Sequence, residues 1–288
     1  GAIRRANPYC VVDYANAPTA GVFSPILADL NVRVVALNAA VEETKMSIRT
    51  EEFQHSLGQL AQICEVLETA IGVRLDVGGE RVYVVDDLGR SVSGVMLTAA
   101  VAIMALRSRG GGTLVVPDTL PNAMEAIAAA HGGSVVRTKT SSAALMAAAA
   151  APGVVMAADG RGSFIWPEFQ PVVDGMMTVA KLLEFLAVQD TRLSRVLGEV
   201  PAFHMAQGVV NCPWENKGTV MRLLNEQYKE RMGPKIDGVK IMMGEDEWVL
   251  LLPDEDQPRF QIYAQGRSDA QARDLVQRYE RIVEGLQE

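Results

Sequence analysis

Short β-branched runs alternate with segments of helical apolar spacing through the first two thirds of the chain, and this alternation constrains the fold more than any other feature. Over residues 1–93 the order is strand 9–14, helix 21–30, strand 33–37, helix 51–70, and strands 73–77 and 81–87. Strands that alternate with helices form parallel sheets covered by helices on both faces. The pattern predicts a layered α/β/α domain over residues 1–93.

A second set of βα units follows over residues 94–205. It comprises helix 95–108, strand 110–118, helix 121–131, strand 134–138, helix 141–151, strand 153–159 and helix 175–189. The apolar run 94–106 is shorter than the roughly 20 residues of a membrane span, so we interpret it as a core helix. The triple glycine 110–112 precedes a strand and does not open a helix, which favours a turn over a phosphate loop.

The last part of the chain, residues 206–288, changes character. A helix at 220–232 is followed by three strands and a closing helix, at 237–244, 247–254, 259–266 and 268–286. Grouped strands with helices predict a small separate α+β domain. The overall prediction is two α/β/α domains (1–93 and 94–205) followed by this C-terminal domain.

Composition narrows the class of protein. Apolar residues make up 49% of the chain, which indicates a globular protein, and the formal charge of −8 argues against a nucleic-acid-binding face. Cys10, Cys64 and Cys212 are far apart in sequence. They form no C-x-x-C pair, so neither a disulfide framework nor a zinc ribbon is expected, and a cytoplasmic location is the better prediction. We expect no membrane partner and leave a homo-oligomer open.

Several strings, taken in order, resemble the α-D-phosphohexomutase family, which includes phosphomannomutase and phosphoglucomutase. They are VVDYANAPTAGVFSPILADL (11–30), LDVGGERVYVVDDLGRSVSG (75–94), ADGRGSFIWPEF (158–169) and the stretch from 236 to 272. The resemblance covers nearly the whole chain but only the second, third and fourth of that family's four domains. It implies the fold above, with sugar-phosphate mutase activity as the family's function.

The resemblance places a degenerate metal loop at 76–81. The family has three aspartates at alternate positions followed by arginine, which converge on Mg²⁺. Here the positions hold Asp76, Gly78 and Glu80, and Arg81 follows. We expect no tight cofactor, weak Mg²⁺ binding at Asp76 and Glu80 at most, and otherwise a solvated turn with Arg81 paired to one of these acids.

The resemblance also places the sugar-recognition string at 159–163. The family's Gly-Glu-x-Ser-Gly-His becomes Asp159, Gly160, Arg161, Gly162 and Ser163. An acid next to an arginine binds polyols in some proteins, so Asp159, Arg161 and Gly162 are degenerate sugar-site candidates. An exposed Asp159–Arg161 pair with only a surface role is the alternative.

The family's phosphate loop, Arg-Pro-Ser-Gly-Thr-Glu-Pro, corresponds to residues 252–258. Both prolines remain, but leucine replaces the arginine, and Asp254, Glu255 and Asp256 occupy the crest of the loop. Such acids repel a phosphate, and compensation requires Lys235, Lys240 or Arg259 to fold against the loop. We predict that phosphate binding is lost; a cation on the three acids is a further alternative.

No catalytic residue is predicted. The family's serine nucleophile lies in its first domain, and His55, His131 and His204 have no sequence neighbour that would make a catalytic dyad. We therefore expect an inactive, structural or regulatory module whose partner is the N-terminal part of the parent chain. The resemblance implies that this partner is a sugar-1-phosphate nucleotidyltransferase, as in mannose-1-phosphate guanylyltransferase fusions. One alternative is an active mutase whose serine domain lies outside this sequence. Another is a sensor that binds a neutral sugar or nucleotide sugar without turnover, with Asp159 and Arg161 as its polar contacts. A sugar phosphate or nucleotide sugar is the expected small-molecule partner.

Overall fold

A computed structural model describes residues 1–287 of the chain. The chain forms two compact units. The first comprises Gly1–Pro117, Met124–Val136 and Ser141–Val200, and the second comprises Asp118–Ala123, Arg137–Thr140 and Pro201–Glu288. None of the helices within residues 1–287 combines the length and apolarity that a membrane crossing requires.

The first sheet contains five strands in the order β2-β1-β3-β4-β5. They are β1 (Tyr9–Asp13), β2 (Arg33–Leu37), β3 (Ile71–Leu75), β4 (Val82–Val85) and β5 (Ser91–Val92). The helices of this stretch are α1 (Ala2–Ala6), α2 (Thr19–Asp29), α3 (Glu43–Met46) and α4 (Thr50–Leu67). Strands β1, β2 and β3 are parallel as predicted, whereas β4 and β5 are antiparallel because short turns precede them.

The second sheet also has five strands, in the order β10-β9-β8-β6-β7. They are β6 (Gly112–Pro117), β7 (Gly133–Thr138), β8 (Val154–Ala158), β9 (Phe164–Trp166) and β10 (Gln170–Val173). The helices are α5 (Gly94–Arg109), α6 (Ala123–Ala130), α7 (Ser142–Ala149), α8 (Gly175–Val188) and α9 (Leu193–Leu197).

Helix α5 is buried along ten successive residues, Leu97 to Leu106, which confirms the core-helix prediction. The triple glycine forms the turn into β6. Gly110 ends α5 with φ 69°, and the amide of Gly111 donates to the carbonyl of Leu106 at 3.0 Å. All three glycines have left-handed φ values, a conformation in which a side chain is strained.

The third sheet has four antiparallel strands in the order β11-β14-β13-β12. They are β11 (His204–Asn211), β12 (Val239–Met242), β13 (Trp248–Pro253) and β14 (Arg259–Gly266), with helices α10 (Trp214–Gln227) and α11 (Asp269–Gly285) and a 3₁₀ turn at Lys229–Arg231. Sequence patterning missed β11 and started α10 six residues late. The division into three domains at residues 93 and 205 stays a prediction.

Candidate functional site

The predicted metal loop is the turn between β3 and β4. One carboxylate oxygen of Asp76, Oδ1, accepts hydrogen bonds from the amides of Glu80 (2.8 Å) and Arg81 (3.0 Å). The Asp76 amide donates to the Arg81 carbonyl at 3.0 Å, and the Gly79 amide donates to the Asp76 carbonyl at 3.1 Å. Asp76 therefore stabilises the turn that contains it, as aspartate does in Asx turns.

These residues do not fit a tight Mg²⁺ site. Gly78 supplies no side-chain ligand, Glu80 is exposed, and one oxygen of Asp76 is engaged by two amides. Magnesium requires nearly octahedral oxygen coordination. Across residues 1–287, no group of three or more His, Cys, Asp or Glu side chains is placed to hold a metal ion. We assign no chemical step to a metal here.

Arg81 does not form the predicted ion pair with Asp76 or Glu80. Instead, a guanidinium nitrogen of Arg81 lies 3.6 Å from Oδ2 of Asp159, and Nε of Arg81 donates a hydrogen bond to the hydroxyl of Ser163 at 3.3 Å. The prediction was wrong because the carboxylate of Asp76 faces the backbone amides of its own turn. The arginine of the metal loop thus contacts the sugar-recognition string.

Asp159 likewise differs from the predicted exposed pair with Arg161. Its Oδ1 accepts hydrogen bonds from the amides of Arg161 (2.7 Å) and Ser163 (3.0 Å), and its Oδ2 faces Arg81. The Asp159 side chain is only 20% exposed. The Asp159 carboxylate therefore contacts the backbone amide of Arg161, and its ion-pair partner is the guanidinium of Arg81.

The two loops are docked backbone to backbone within the first unit. The amide of Val82 donates to the carbonyl of Gly162 at 2.9 Å. Gly162 has φ 104°, and a Cβ there would lie 2.3 Å from the carbonyl oxygen of Val82. A Cβ on Gly94 would lie 2.4 Å from the carbonyl oxygen of Gly160. Glycine is required where two backbones approach this closely.

The predicted phosphate loop connects β13 to β14 in the second unit. Glu255 and Asp256 are exposed there, as predicted for the crest. Asp254 is different, because its side chain is only 7% exposed and points into the loop. Its Oδ1 accepts the amides of Asp256 (3.0 Å) and Gln257 (3.1 Å).

The second oxygen of Asp254 contacts two side chains. Oδ2 accepts hydrogen bonds from Nε2 of Gln261 (2.9 Å) and Nε of Arg259 (2.7 Å). The hydrogen bonds from Gln261 and Arg259 hold the pKa of Asp254 well below its usual range. Only two of the three acids lie on the crest, because the third is the hydrogen-bond acceptor at the centre of the loop.

Two cations fold against this loop, and the sequence identified one of them. Arg259 contacts Asp254, whereas Lys240 forms an ion pair with Asp118 at 2.7 Å. Sequence reasoning missed Lys217, whose ammonium donates to the carbonyls of Asp254 and Gln257, the latter at 2.6 Å. The Lys217 ammonium also lies 3.6 Å from the centre of the Trp214 ring.

The three histidines lie in different surroundings. His55 is exposed on α4, and His131 follows α6. Burial, and then the guanidinium of Arg107, lower the pKa of His131. Nδ1 of His204 lies 2.7 Å from Oδ1 of Asp269, a pair that sequence inspection missed because 65 positions separate the two residues.

Comparison with known proteins gives a consistent result. Residues 94–203 match the family model described as phosphoglucomutase/phosphomannomutase, alpha/beta/alpha domain III. A phosphoglucomutase/phosphomannomutase of Thermococcus kodakarensis is 28% identical over 279 residues, which are 96% of this chain and 60% of that protein. A phosphoglucosamine mutase of Methanococcus vannielii is 22% identical, over 92% of this chain and 61% of that protein. The chain spans about three fifths of the length of these relatives.

Solved structures share the fold. A phosphoglucomutase/phosphomannomutase family protein of Burkholderia thailandensis superposes with a TM-score of 0.82 at 18% identity, covering 97% of this chain and 60% of that one. An Aspergillus fumigatus N-acetylphosphoglucosamine mutase, solved with GlcNAc-6P and magnesium, superposes with a TM-score of 0.67 at 13% identity. That match covers 98% of this chain and 68% of the other.

Proposed function

We propose that this chain, a member of the α-D-phosphohexomutase family, is a phosphohexomutase-like module of sugar-phosphate metabolism without mutase activity of its own. Its role is structural or regulatory, through the surface that the folded module presents to the rest of the protein. The fold alone supports no catalytic role, because activity resides in sites and not in scaffolds.

The observation that carries this proposal is the geometry of the loop 76–81. The family's metal loop uses three alternating acids, whereas here Gly78 removes the central one. Asp76 satisfies two amides of its own turn, and the following Arg81 contacts Asp159 and Ser163. Asp76, Arg81 and Asp159 therefore each have another partner within the protein.

The loop 253–258 supports the proposal independently. A substrate phosphate at this loop would lie beside the carboxylate of Asp254, and two like charges about 4 Å apart repel by roughly 4 kcal/mol near a protein surface. The cations Arg259 and Lys217 are already bound to the carboxylate and to carbonyls of the loop. Displacing these contacts adds to the cost of phosphate binding.

The proposed partner is a sugar-1-phosphate nucleotidyltransferase domain in the same polypeptide. The family resemblance supports this partner, because phosphohexomutase-like regions occur in fusion with such enzymes. On this proposal the nucleotidyltransferase domain carries out the chemistry on sugar phosphates, and the present module stabilises or regulates it. Deleting the module from the longest natural chain should then alter the stability or oligomeric state of the nucleotidyltransferase, measured by light scattering and thermal unfolding.

The second candidate is an active phosphomannomutase or phosphoglucomutase whose serine domain lies elsewhere in the protein. The match to the Thermococcus kodakarensis phosphoglucomutase/phosphomannomutase over 96% of this chain favours it. In that case Asp76 and Glu80 would contact Mg²⁺ and Asp159 would contact the sugar.

One experiment separates the two candidates. The longest natural chain is assayed for interconversion of the 1- and 6-phosphates of mannose and glucose, with Mg²⁺ and a bisphosphate activator. We expect no turnover above that of a heat-inactivated sample. Turnover that Asp76→Asn abolishes, and that the control Glu43→Gln on the exposed side of α3 preserves, would establish the active mutase.

A further inference from the structure

A cavity of about 670 Å³ lies at the amino-terminal edge of the first sheet, within the first unit. It is lined by the residues that begin or precede β1, β2 and β3, the ends of α1 and α4, the turn after β4 and the connection between α8 and α9. The loop 76–81 follows β3 and lies at the opposite edge of that strand. The occupancy of the cavity therefore does not depend on whether that loop acts in catalysis.

One wall of the cavity carries two carboxylates that the helix does not compensate. Glu65 and Glu68 lie at the C-terminal end of α4, three residues apart, and both are exposed. Acids at this spacing repel each other, and the helix macrodipole disfavours negative charge at a C-terminus. The last turn of α4 contains no basic residue. The sequence therefore maintains negative charge on this wall at some cost in helix stability.

Two arginines line the same cavity from other elements. Arg33 begins β2, and its guanidinium carbon lies 4.8 Å from the centre of the Tyr9 ring, a cation–π contact that orients it. Arg192 immediately precedes α9. Among residues 1–287, neither arginine forms an ion pair with an acid, and neither Glu65 nor Glu68 forms one with a base. The cavity thus presents both signs of charge without pairing them internally.

The third acid of the cavity is already bound. Oδ1 of Asp87 accepts the amide of Ser194 and Oδ2 accepts its hydroxyl, both at 2.8 Å. Two arginines and two glutamates remain. A phosphate ester is close to dianionic at neutral pH and matches two guanidinium groups, whereas a carboxylate would leave one of them unmatched. An ammonium group has three N–H donors and can serve two carboxylates.

We propose that this cavity binds a small zwitterionic phosphate, with its ammonium group on Glu65 and Glu68 and its phosphate on Arg33 and Arg192. Such a ligand satisfies both pairs of side chains, whereas a simple amine or phosphate satisfies only one pair. Amino-sugar phosphates and aminoalkyl phosphates share this chemistry, and the cavity volume is usual for a small-molecule site. The alternative is four solvated side chains, which would bind the zwitterion no better than its singly charged counterparts.

The test is calorimetric titration of the chain with glucosamine 6-phosphate, glucose 6-phosphate and glucosamine, at low ionic strength to limit screening. Glucosamine 6-phosphate should bind about tenfold more tightly than either of the others, because each of them lacks one charge-assisted contact. O-phosphoethanolamine distinguishes the two sources of the ligand. Binding as tight as that of glucosamine 6-phosphate identifies an aminoalkyl phosphate, and binding as weak as that of glucose 6-phosphate identifies an amino-sugar phosphate; both results support the proposal.

Two double variants assign the contacts. Glu65→Gln with Glu68→Gln should remove the preference for glucosamine 6-phosphate over glucose 6-phosphate. Arg33→Gln with Arg192→Gln should remove the preference over glucosamine. All four side chains are exposed, so these variants should fold as the natural chain does.

The matched controls remove the same charges elsewhere. Glu43→Gln with Glu51→Gln changes two exposed acids, and Arg273→Gln with Arg278→Gln changes two exposed arginines of α11. Both controls should retain both preferences. Equal binding of the three sugars, no binding of glucosamine 6-phosphate or O-phosphoethanolamine at millimolar concentration, or preferences that survive in the cavity variants would each overturn the proposal. Mutase turnover by the natural chain would refute the proposed function without deciding this one.

Discussion

Adding a single methyl group at Gly94 should push the start of α5 away from the backbone of residues 160–161. Gly94 is the first residue of α5, and a Cβ there would lie 2.4 Å from the carbonyl oxygen of Gly160 and 2.9 Å from Cα of Arg161. Gly58 lies within α4, and a Cβ there has no neighbour within 4 Å. The same change to alanine therefore meets backbone at one site and open space at the other.

The expected effects have opposite signs. Gly58→Ala should stabilise the protein by roughly 0.5–1 kcal/mol, because alanine loses less backbone entropy in a helix. Gly94→Ala must move either α5 or residues 160–161, and such overpacking costs about 1–3 kcal/mol. The free energies of unfolding of the two variants should therefore differ by about 1.5–4 kcal/mol.

Urea denaturation measures both values, provided that the two variants have the same m-value. Hydrogen exchange locates the effect. The Ser163 amide, which donates to Asp159 at 3.0 Å, should exchange faster in Gly94→Ala and not in Gly58→Ala. If Gly94→Ala is as stable as Gly58→Ala and Ser163 stays protected, the close approach of α5 to residues 160–161 is not as described.

Two further predictions concern charge and metal binding. Lys240→Met should cost about 3–5 kcal/mol, because it leaves the buried Asp118 carboxylate without its cation. Burial raises the pKa of Asp118, so proton uptake stabilises the fold at low pH and this contribution is lost as pH rises above the usual aspartate range. The loss of unfolding free energy caused by Lys240→Met, measured by urea titration, should therefore grow with pH. The control Lys45→Met breaks an exposed ion pair and should lose less than about 1 kcal/mol at any pH. A loss in Lys240→Met that does not change with pH would contradict this prediction. The double variant Gly78→Asp, Glu80→Asp should gain Mg²⁺ binding by calorimetry, since a Cβ at 78 meets nothing closer than 3.5 Å. If this variant binds Mg²⁺ no more tightly than the natural chain, then the two aspartates at positions 78 and 80 are not sufficient to form the metal site.

Local patterning was sufficient for most of the fold. The apolar run that became α5 and the β-branched runs that became β1 and β6 were predicted because their burial follows from their composition. Strand β11 was missed. Most of its residues are partly or fully exposed, and Gly208 interrupts it. That glycine allows α11 to approach, since a Cβ there would lie 2.4 Å from Val276. A close approach of this kind is a tertiary property that the local sequence does not display.

The candidate site was predictable in position but not in its contacts. The order of the strings located the loops at 76–81, 159–163 and 252–258. The partners of Arg81 were not predictable, because its contact with Ser163 joins residues 82 positions apart. Lys217 likewise reaches a loop 37 positions away and has no distinctive sequence context. The burial of Asp254 was not predictable either, because it depends on the side chain pointing into the loop, whereas the sequence predicted an exposed acid.

The central claim is that the turn after β3 does not bind Mg²⁺ tightly, and titration of the natural chain with Mg²⁺ tests it most directly. Calorimetry should show no saturable binding below millimolar concentrations, and Asp76→Asn should give the same trace because its carboxylate serves the amides of Glu80 and Arg81. Binding of about one ion per chain at micromolar concentrations, lost in Asp76→Asn, would contradict the claim.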